Sequence, residues 1–363
     1  MAKLGKWLGA TIITCLFLIG CGGGGSVTPP PPLPPPPPPP ATDIWVDVKA
    51  AIDASSVADI RLMVGNGGGV VFSYEKGSFP VDQQYFLASS SKLLSGATIF
   101  RLVENGTLSL DSRPADIIPW WTSDSTDARS QVTLEQLLSF TSGFNDGPIA
   151  ESCITDAATT MGACAREFYD AGIGTVPGDA YYYGPAHLQI AGHMAELATG
   201  MTYAQIFQAQ IVDVLGLSNN TVFAFPSTAN PRASGGGQST AEDYAKVLRA
   251  LLAGETVTDI NAFTQDRTAN VVFGFRPGAT GVSGRDWHYG LGFWRQCDIP
   301  EWNNTCDDNI IISSGGAFGW RPWIDFNNNY FGQIAMEVTS GTHGAAALQR
   351  QIQPLIVTAL AKL

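Results

Sequence analysis

The stretch GGGGSVTPPPPLPPPPPPP, residues 22–40, sets the outer limit on what this chain can fold into. Proline lacks a backbone N–H and has a fixed φ, so neither a helix nor a β-ladder runs through such a segment. It forms a polyproline II rod at roughly 3 Å per residue, on the order of 35 Å in all, with a mobile glycine root. Every packed element must therefore come from residues 44–363. That length suffices for one large domain or two, with ample apolar surface to bury.

What precedes the rod reads as a targeting segment. MAKLGK supplies two lysines and WLGATIITCLFLIG a short apolar run, the n-region and h-region of an export signal over residues 1–20, too short for a membrane span. LIGC, Leu18–Cys21, resembles a bacterial lipoprotein box, which implies lipid on Cys21 and a lipidated linker over residues 21–43. Gly22 after that cysteine, rather than aspartate, resembles cargo sent to the outer membrane. The expected location is that of an exported lipoprotein, periplasmic or surface-facing, with a membrane as partner through its N-terminal lipid.

Charge and cysteine usage agree with export. The net charge is −12 with a pI near 4.7 and no basic stripe, which argues against a nucleic-acid partner. Cys15 leaves with the signal and Cys21 takes lipid, so four cysteines remain, and the short spacings predict disulfides Cys153–Cys164 and Cys297–Cys306 in an oxidising compartment. Zinc is the competing reading, but no Cys-x-x-Cys occurs and the four histidines are scattered. No metal or other cofactor is expected.

Along the chain, IRLMVG, the turn NGGG, VVFSY and the turn EKG read as an antiparallel meander from Ile60. Between about 107 and 235 the pattern is helical, with TLEQLLSF, HLQIAGHMAELATG and TYAQIFQAQIVDVLGL separated by glycine and proline. The helix TAEDYAKVLRALLAG follows, strands return with WHYGLGFW, NIIISSGG and YFGQIAMEVTS, and a last helix closes the chain. Strands at both ends around a helical insert predict an α/β (α+β) fold: an antiparallel sheet flanked by helices, an all-helical subdomain, and a cleft where they meet.

Two Ser-x-x-Lys patterns occur. Ser73 and Lys76 fall where a strand enters a hairpin turn, so their side chains splay. Ser89 and Lys92, in YFLASSSKLL, open a helix predicted from about Ser89 to Asn105-Gly106, which sets them one turn apart on one face, with Ser90 and Ser91 pointing away. A serine there also gains the free N–H groups and positive dipole of a helix N-terminus.

FLASSSKLLSGATIFRLVENGTLSLD, VTLEQLLSFTSGF, PGDAYYYGPAHLQIAG, LGLSNNTVF, SGGGQSTAEDYAKVLRALL, YGLGFW and SSGGAFGWRPWIDFNNN occur in this order. In sequence they resemble the serine β-lactamase-like hydrolases, which include class C β-lactamases, D-amino peptidases and family VIII carboxylesterases. The resemblance covers nearly all of residues 50–360. It implies Ser89 as nucleophile, Lys92 as its partner and Tyr183 as second base, with Tyr182 as the alternative register. It also implies an oxyanion hole from the backbone N–H groups of Ser89 and Ala317, and a third motif at Ser314-Gly315-Gly316.

A serine hydroxyl attacks only when a base takes its proton, and lysine serves only as a neutral amine. A cation beside a tyrosine favours phenolate, so Lys92 and Tyr183 are expected to share one proton across the attack. No Gly-x-Ser-x-Gly occurs, which disfavours a Ser-His-Asp triad, and there is no phosphate-cradling loop or dinucleotide fingerprint. His187 and His193 read as packing or surface residues; His288 and His343 have no assigned role.

Phe140 stands where Leu-Leu-x-His-Thr-Ser-Gly carries histidine. Two further departures from the family pattern bear on substrate: Pro185 stands where the asparagine of Tyr-x-Asn binds a β-lactam side-chain amide, and Ser314 stands where a cation holds the β-lactam carboxylate. A neutral hydroxyl offers a hydrogen bond about half as strong as a charged donor. Arg321, in GWRPW, is the candidate to restore that charge, and Trp320, Trp323, Phe144 and Tyr181 are candidates to line the cleft. The expectation is an esterase for small, fairly apolar acyl esters or linear amides. A β-lactamase or D-amino peptidase is the alternative, and a catalytically silent envelope-anchored binding protein is the alternative of another class.

Overall fold

The computed structural model describes residues 43–145, 150–277, 285–339 and 344–363, with Ala150 and Glu151 described by backbone alone. The export signal, the lipidation site Cys21, the linker up to residue 42 and His343 lie outside the described residues.

Twelve strands follow one another along the described chain: β1 Ile60–Asn66, β2 Gly69–Lys76, β3 Tyr85–Phe86, β4 Ala180–Tyr182, β5 Val222–Phe223, β6 Gly237–Ser239, β7 Val272–Phe275, β8 His288–Tyr289, β9 Trp294–Arg295, β10 Ile311–Ser313, β11 Arg321–Asp325 and β12 Tyr330–Ala335. Seven of them form an antiparallel sheet in the order β2-β1-β12-β11-β10-β9-β8. The expected turn at Asn66 joins β1 to β2, and the Asn66 carboxamide accepts the Gly68 N–H at 2.9 Å. At the far end of β2, Arg61 donates to Ser73 Oγ while Lys76 Nζ donates to the carbonyls of Asp53 and Ser55, so this second Ser-x-x-Lys is separated as expected.

Side chains alternate across the sheet. Leu62, Val64, Trp323, Tyr330 and Ile334 face the helices Val46–Asp53 and Ala345–Leu360, whereas Met63, Ile312, Ile324, Phe331 and Ala335 face the main core with the helices Ser91–Glu104 and Ala241–Leu252. Burying these two stripes on opposite faces is what makes a helix–sheet–helix sandwich. It is the antiparallel sheet flanked by helices that the sequence predicts.

The inserted lobe is not wholly helical, which corrects the expectation. Helices Leu134–Leu138, Met161–Ala171 and Ala186–Thr199 dominate it, but β4 pairs in parallel with β7, and β5 pairs with β6. The aromatic run Tyr181–Tyr183 prefers a pleated surface, and an outside partner strand supplies it. Both predicted disulfides are present, with Cα–Cα separations of 5.2 Å for Cys153–Cys164 and 5.5 Å for Cys297–Cys306.

Candidate active site

The helix predicted from about Ser89 begins two residues later. A 3-10 turn, Ala88–Ser90, leads into the α-helix at Ser91. Ala88 takes φ 45°, left-handed for a residue with a β-carbon, so the chain is strained at the residue before Ser89. Such strain persists only where the surroundings over-determine it, and here they do. The Ser90 hydroxyl donates to the carbonyls of Ser314 at 2.6 Å and Trp320 at 3.0 Å, and the Tyr244 hydroxyl donates to Ser90 O at 2.8 Å. Ser91 Oγ accepts the Gly237 N–H at 2.9 Å. Of the three consecutive serines, Ser90 and Ser91 are buried structural ties, and Ser89 alone reaches the cleft.

Lys92 is buried on the same face, its Nζ 3.0 Å from Ser89 Oγ and 2.6 Å from the carbonyl of Ser234. Its helix meets the β8–β9 turn backbone to backbone. A Cβ on Gly96 would stand 1.9 Å from Leu291 O, and one on Gly292 would stand 2.5 Å from Lys92 O. The glycines of SGAT and YGLGFW therefore set how deep Lys92 sits.

Tyr183 follows β4, with its N–H on Phe275 O at 3.1 Å. Its ring stacks 6.1 Å from Trp294, meets Phe140 edge-on at 5.7 Å, and carries Lys92 Nζ over its face, 4.5 Å from the centroid. Burial pushes the phenol up to about 12, against the pull of Ser89 and the fields of Arg232 and Arg321. The phenol is thus protonated at neutral pH. Lys92 Nζ and the Tyr183 phenol both converge on Ser89.

The β10–β11 hairpin supplies the opposite wall. Ser314 is buried and its hydroxyl donates to Ser89 O at 3.0 Å, so it ties down the nucleophile's own backbone. Gly316 presses on the same turn, where a Cβ would come within 2.2 Å of Leu87 O, and its N–H reaches Trp320 O at 2.7 Å. That contact presents Ala317, exposed, across the cleft from Ser89. The backbone N–H groups of Ser89 and Ala317 make no hydrogen bond among the described residues. A Cβ on Gly315 would collide with the Arg321 guanidinium at 2.3 Å. Arg321 itself is buried behind the strand, its Nε on Gln349 Oε1 at 2.6 Å, and burial followed by the neighbouring Arg350 pushes it down to about 9.

The cleft that opens on Ser89 holds about 400 Å³ and is lined by Phe86, Ala88, Ser89, Thr155, Phe225, Arg232, Gly235, Ala317 and Phe318. Trp320, Trp323, Phe144 and Tyr181, which read equally as lining or as core, are core residues, and Arg321 is not on this wall. The charged side chain on it is Arg232, which sequence reasoning missed although it stands two residues before the SGGGQST segment. Phe86 and Phe225 meet edge to face at 5.6 Å and were missed as well.

The histidines separate by environment. His193 bonds Glu196 and His288 bonds Asp266 beneath Trp302. His187 is fully buried between Ser142 and the Tyr182 carbonyl, and burial, with Lys92 adding to it, pushes its ring down to about 3. The folded protein therefore takes up no proton there as pH falls through 6.5, whereas the unfolded chain does. The unfolded state binds more protons, so this contribution is complete above about pH 6.5 and is withdrawn toward pH 3 at roughly 1.4 kcal/mol per unit. His187→Gln removes it. Urea unfolding between pH 6.5 and 4 should show a shallower loss of stability in His187→Gln than in the wild type, and parallel slopes would refute the assignment.

Residues 48–345 match the family model described as Beta-lactamase. The chain is 27% identical over 240 residues to a lovastatin esterase of Penicillium rubens, covering 52% of this chain and 60% of that protein. It is 22% identical over 274 residues to a 6-aminohexanoate-dimer hydrolase of Paenarthrobacter ureafaciens, covering 72% of this chain and 68% of that protein. Thus it spans less than two thirds of the length of the esterase. Among solved structures, EstCE1, a hydrolase with promiscuous acyltransferase activity, superposes with a TM-score of 0.68 at 18% identity, over 86% of this chain and 97% of that one. Among the described residues no cluster of His, Cys, Asp or Glu is placed to hold a metal ion.

Proposed function

The chain belongs to the beta-lactamase family of serine hydrolases, and from that premise we propose that it is a carboxylesterase forming an acyl-enzyme at Ser89, acting on small, fairly apolar acyl esters or linear amides. The observation that carries this reading is the 3.0 Å contact between Lys92 Nζ and Ser89 Oγ at the mouth of a cleft walled by three phenylalanines.

In the proposed reaction Ser89 Oγ attacks the ester carbonyl and its proton passes to neutral Lys92. The oxyanion forms between the N–H groups of Ser89 and Ala317, where loss of one such donor costs about 3 to 4 kcal/mol in comparable sites. The Tyr183 phenol gives its proton to the departing alkoxide, which leaves as alcohol, and takes in return the proton that Lys92 received from Ser89, so that Lys92 is again neutral and Tyr183 again protonated. Water then attacks the acyl-enzyme, gives its proton back through the same groups, and releases the carboxylic acid.

Two features favour esters over β-lactams. Pro185 caps the Ala186–Thr199 helix and presents no side-chain amide, and the Ser314 hydroxyl is engaged by Ser89 O. Phe86, Phe225 and Phe318 suit an apolar acyl group. The lovastatin esterase and the aminohexanoate-dimer hydrolase support ester or amide turnover. The same reading takes the chain as an exported lipoprotein anchored through Cys21; metabolic labelling with palmitate, lost in Cys21→Ser, tests that part.

The catalytic reading is tested with the full mature chain against 4-nitrophenyl butyrate and a chromogenic cephalosporin, with intact-protein mass after fluorophosphonate treatment. Ester turnover with a single adduct on Ser89 is the expected result. Faster cephalosporin turnover would move the assignment to the β-lactamase reading. Inactivity together with no adduct would leave the silent binding protein.

A further inference from the structure

We propose that His187 is a positioning residue for Tyr183, holding the phenol's segment in place through the Tyr182 carbonyl. The inference rests on the reading of Tyr183 given above and adds a residue that does not touch the reacting atoms.

His187 is the second residue of the Ala186–Thr199 helix and its ring is wholly enclosed. Nε2 lies 2.8 Å from Tyr182 O and Nδ1 lies 2.7 Å from Ser142 Oγ. A carbonyl can only accept, so Nε2 carries the hydrogen, and in the neutral ring Nδ1 then offers a lone pair to the Ser142 hydroxyl. Burial holds the ring neutral, its pKa pushed down to about 3. One tautomer is therefore specified from both sides, and the carbonyl it grips is one peptide away from the Tyr183 Cα.

The circuit closes through Phe140. Tyr182 N–H donates to Phe140 O at 3.0 Å. The Phe140 ring stacks on His187 at 4.7 Å and 12°, and meets Tyr183 edge-on. Phe140 takes φ 62°, a second left-handed residue with a β-carbon beside the site. Where the resembling motif carries histidine this chain has Phe140, and the imidazole of the stacked pair stands on the facing helix instead. Ser142, His187, Phe140 and Tyr182 thus fix the Tyr183 backbone.

The test is steady-state hydrolysis of 4-nitrophenyl butyrate by the full mature chain carrying His187→Leu, His187→Gln or Ser142→Ala, with thermal midpoints recorded alongside. Displacing a catalytic group by about 1 Å can cost about a hundredfold. His187→Leu should lower kcat by that order with KM within about twofold. His187→Gln carries its amide N–H at the place of Nε2 and should recover kcat to within about fivefold of wild type. Ser142→Ala, which takes the Nδ1 partner away but keeps the ring, should cost about fivefold. Wild-type kcat in His187→Leu, or equal losses in folded His187→Leu and His187→Gln, would overturn the proposal. If His187→Leu does not fold, an unchanged kcat in Ser142→Ala overturns it. An absence of ester turnover in the wild type would fail the esterase reading alone, because 15N spectra of the histidine ring report the clamp independently. A neutral Nε2–H tautomer at pH 7 supports it, and an Nδ1–H tautomer refutes it.

Discussion

Ser89→Ala should reduce turnover of 4-nitrophenyl butyrate by at least about 10⁴-fold, the scale on which serine hydrolases lose activity with their nucleophile, while leaving the thermal midpoint close to wild type. Ser89 is half-buried at the cleft mouth; its loss takes one partner from the Tyr183 phenol and one from Lys92 Nζ, which keeps the Ser234 carbonyl. Ser90→Ala should do the reverse. Its hydroxyl serves two buried carbonyls, so removal should cost about 1–3 kcal/mol of stability. Ser73→Ala, on the exposed hairpin, should change neither quantity. Activity and melting measured side by side separate the serines. Retention of more than about a tenth of the turnover in Ser89→Ala is incompatible with covalent catalysis at this residue.

That separation shows what local sequence could reveal. The Ser-x-x-Lys at residue 89 was distinguishable from that at residue 73 because helical periodicity puts residues three apart on one face, whereas a strand entering a turn splays them. The hairpin at Asn66 and both disulfides follow from equally local cues. The cleft lining did not. An aromatic residue is equally at home in a core or in an apolar pocket, and which of the two it enters depends on the side of a strand it occupies and on what packs there. Trp320 and Trp323 are three residues apart and go to opposite faces of the sheet, the first among Phe79, Tyr85 and Tyr244, the second against Tyr330 and the terminal helix. Only the long-range pairing of β10, β11 and β12 decides this. Arg321 shares that fate: β11 turns it toward Gln349 of the last helix, while Arg232, which no periodicity distinguishes, reaches the cleft from a loop. The contact of the Ser314 hydroxyl with the nucleophile's own carbonyl is invisible without the tertiary fold. His187 read as packing because its two partners, Ser142 and Tyr182, come from different segments.

Lys92→Arg should be nearly as inactive as Ser89→Ala, with turnover of 4-nitrophenyl butyrate down by about 10³-fold or more. General-base participation is worth about 10²–10⁴ and a guanidinium does not deprotonate in proteins. The substitution keeps donors for Ser89 and Ser234 and removes the capacity to accept a proton. Lys92→Met gives the complementary loss, with neither charge nor base. If the lysine acted only as a fixed charge, Lys92→Arg would retain most activity and Lys92→Met little. The base would then have to be Tyr183. The structure opposes that assignment: burial has pushed the phenol up to about 12, so holding it as phenolate at pH 7 would cost about five pKa units, on the order of 7 kcal/mol. Lys92 Nζ lies 3.0 Å from the hydroxyl whose proton it is proposed to take. Tyr183→Phe should accordingly cost less than either lysine substitution, about 10–100-fold, and a larger loss there than in Lys92→Arg would reverse the order of proton transfer proposed here.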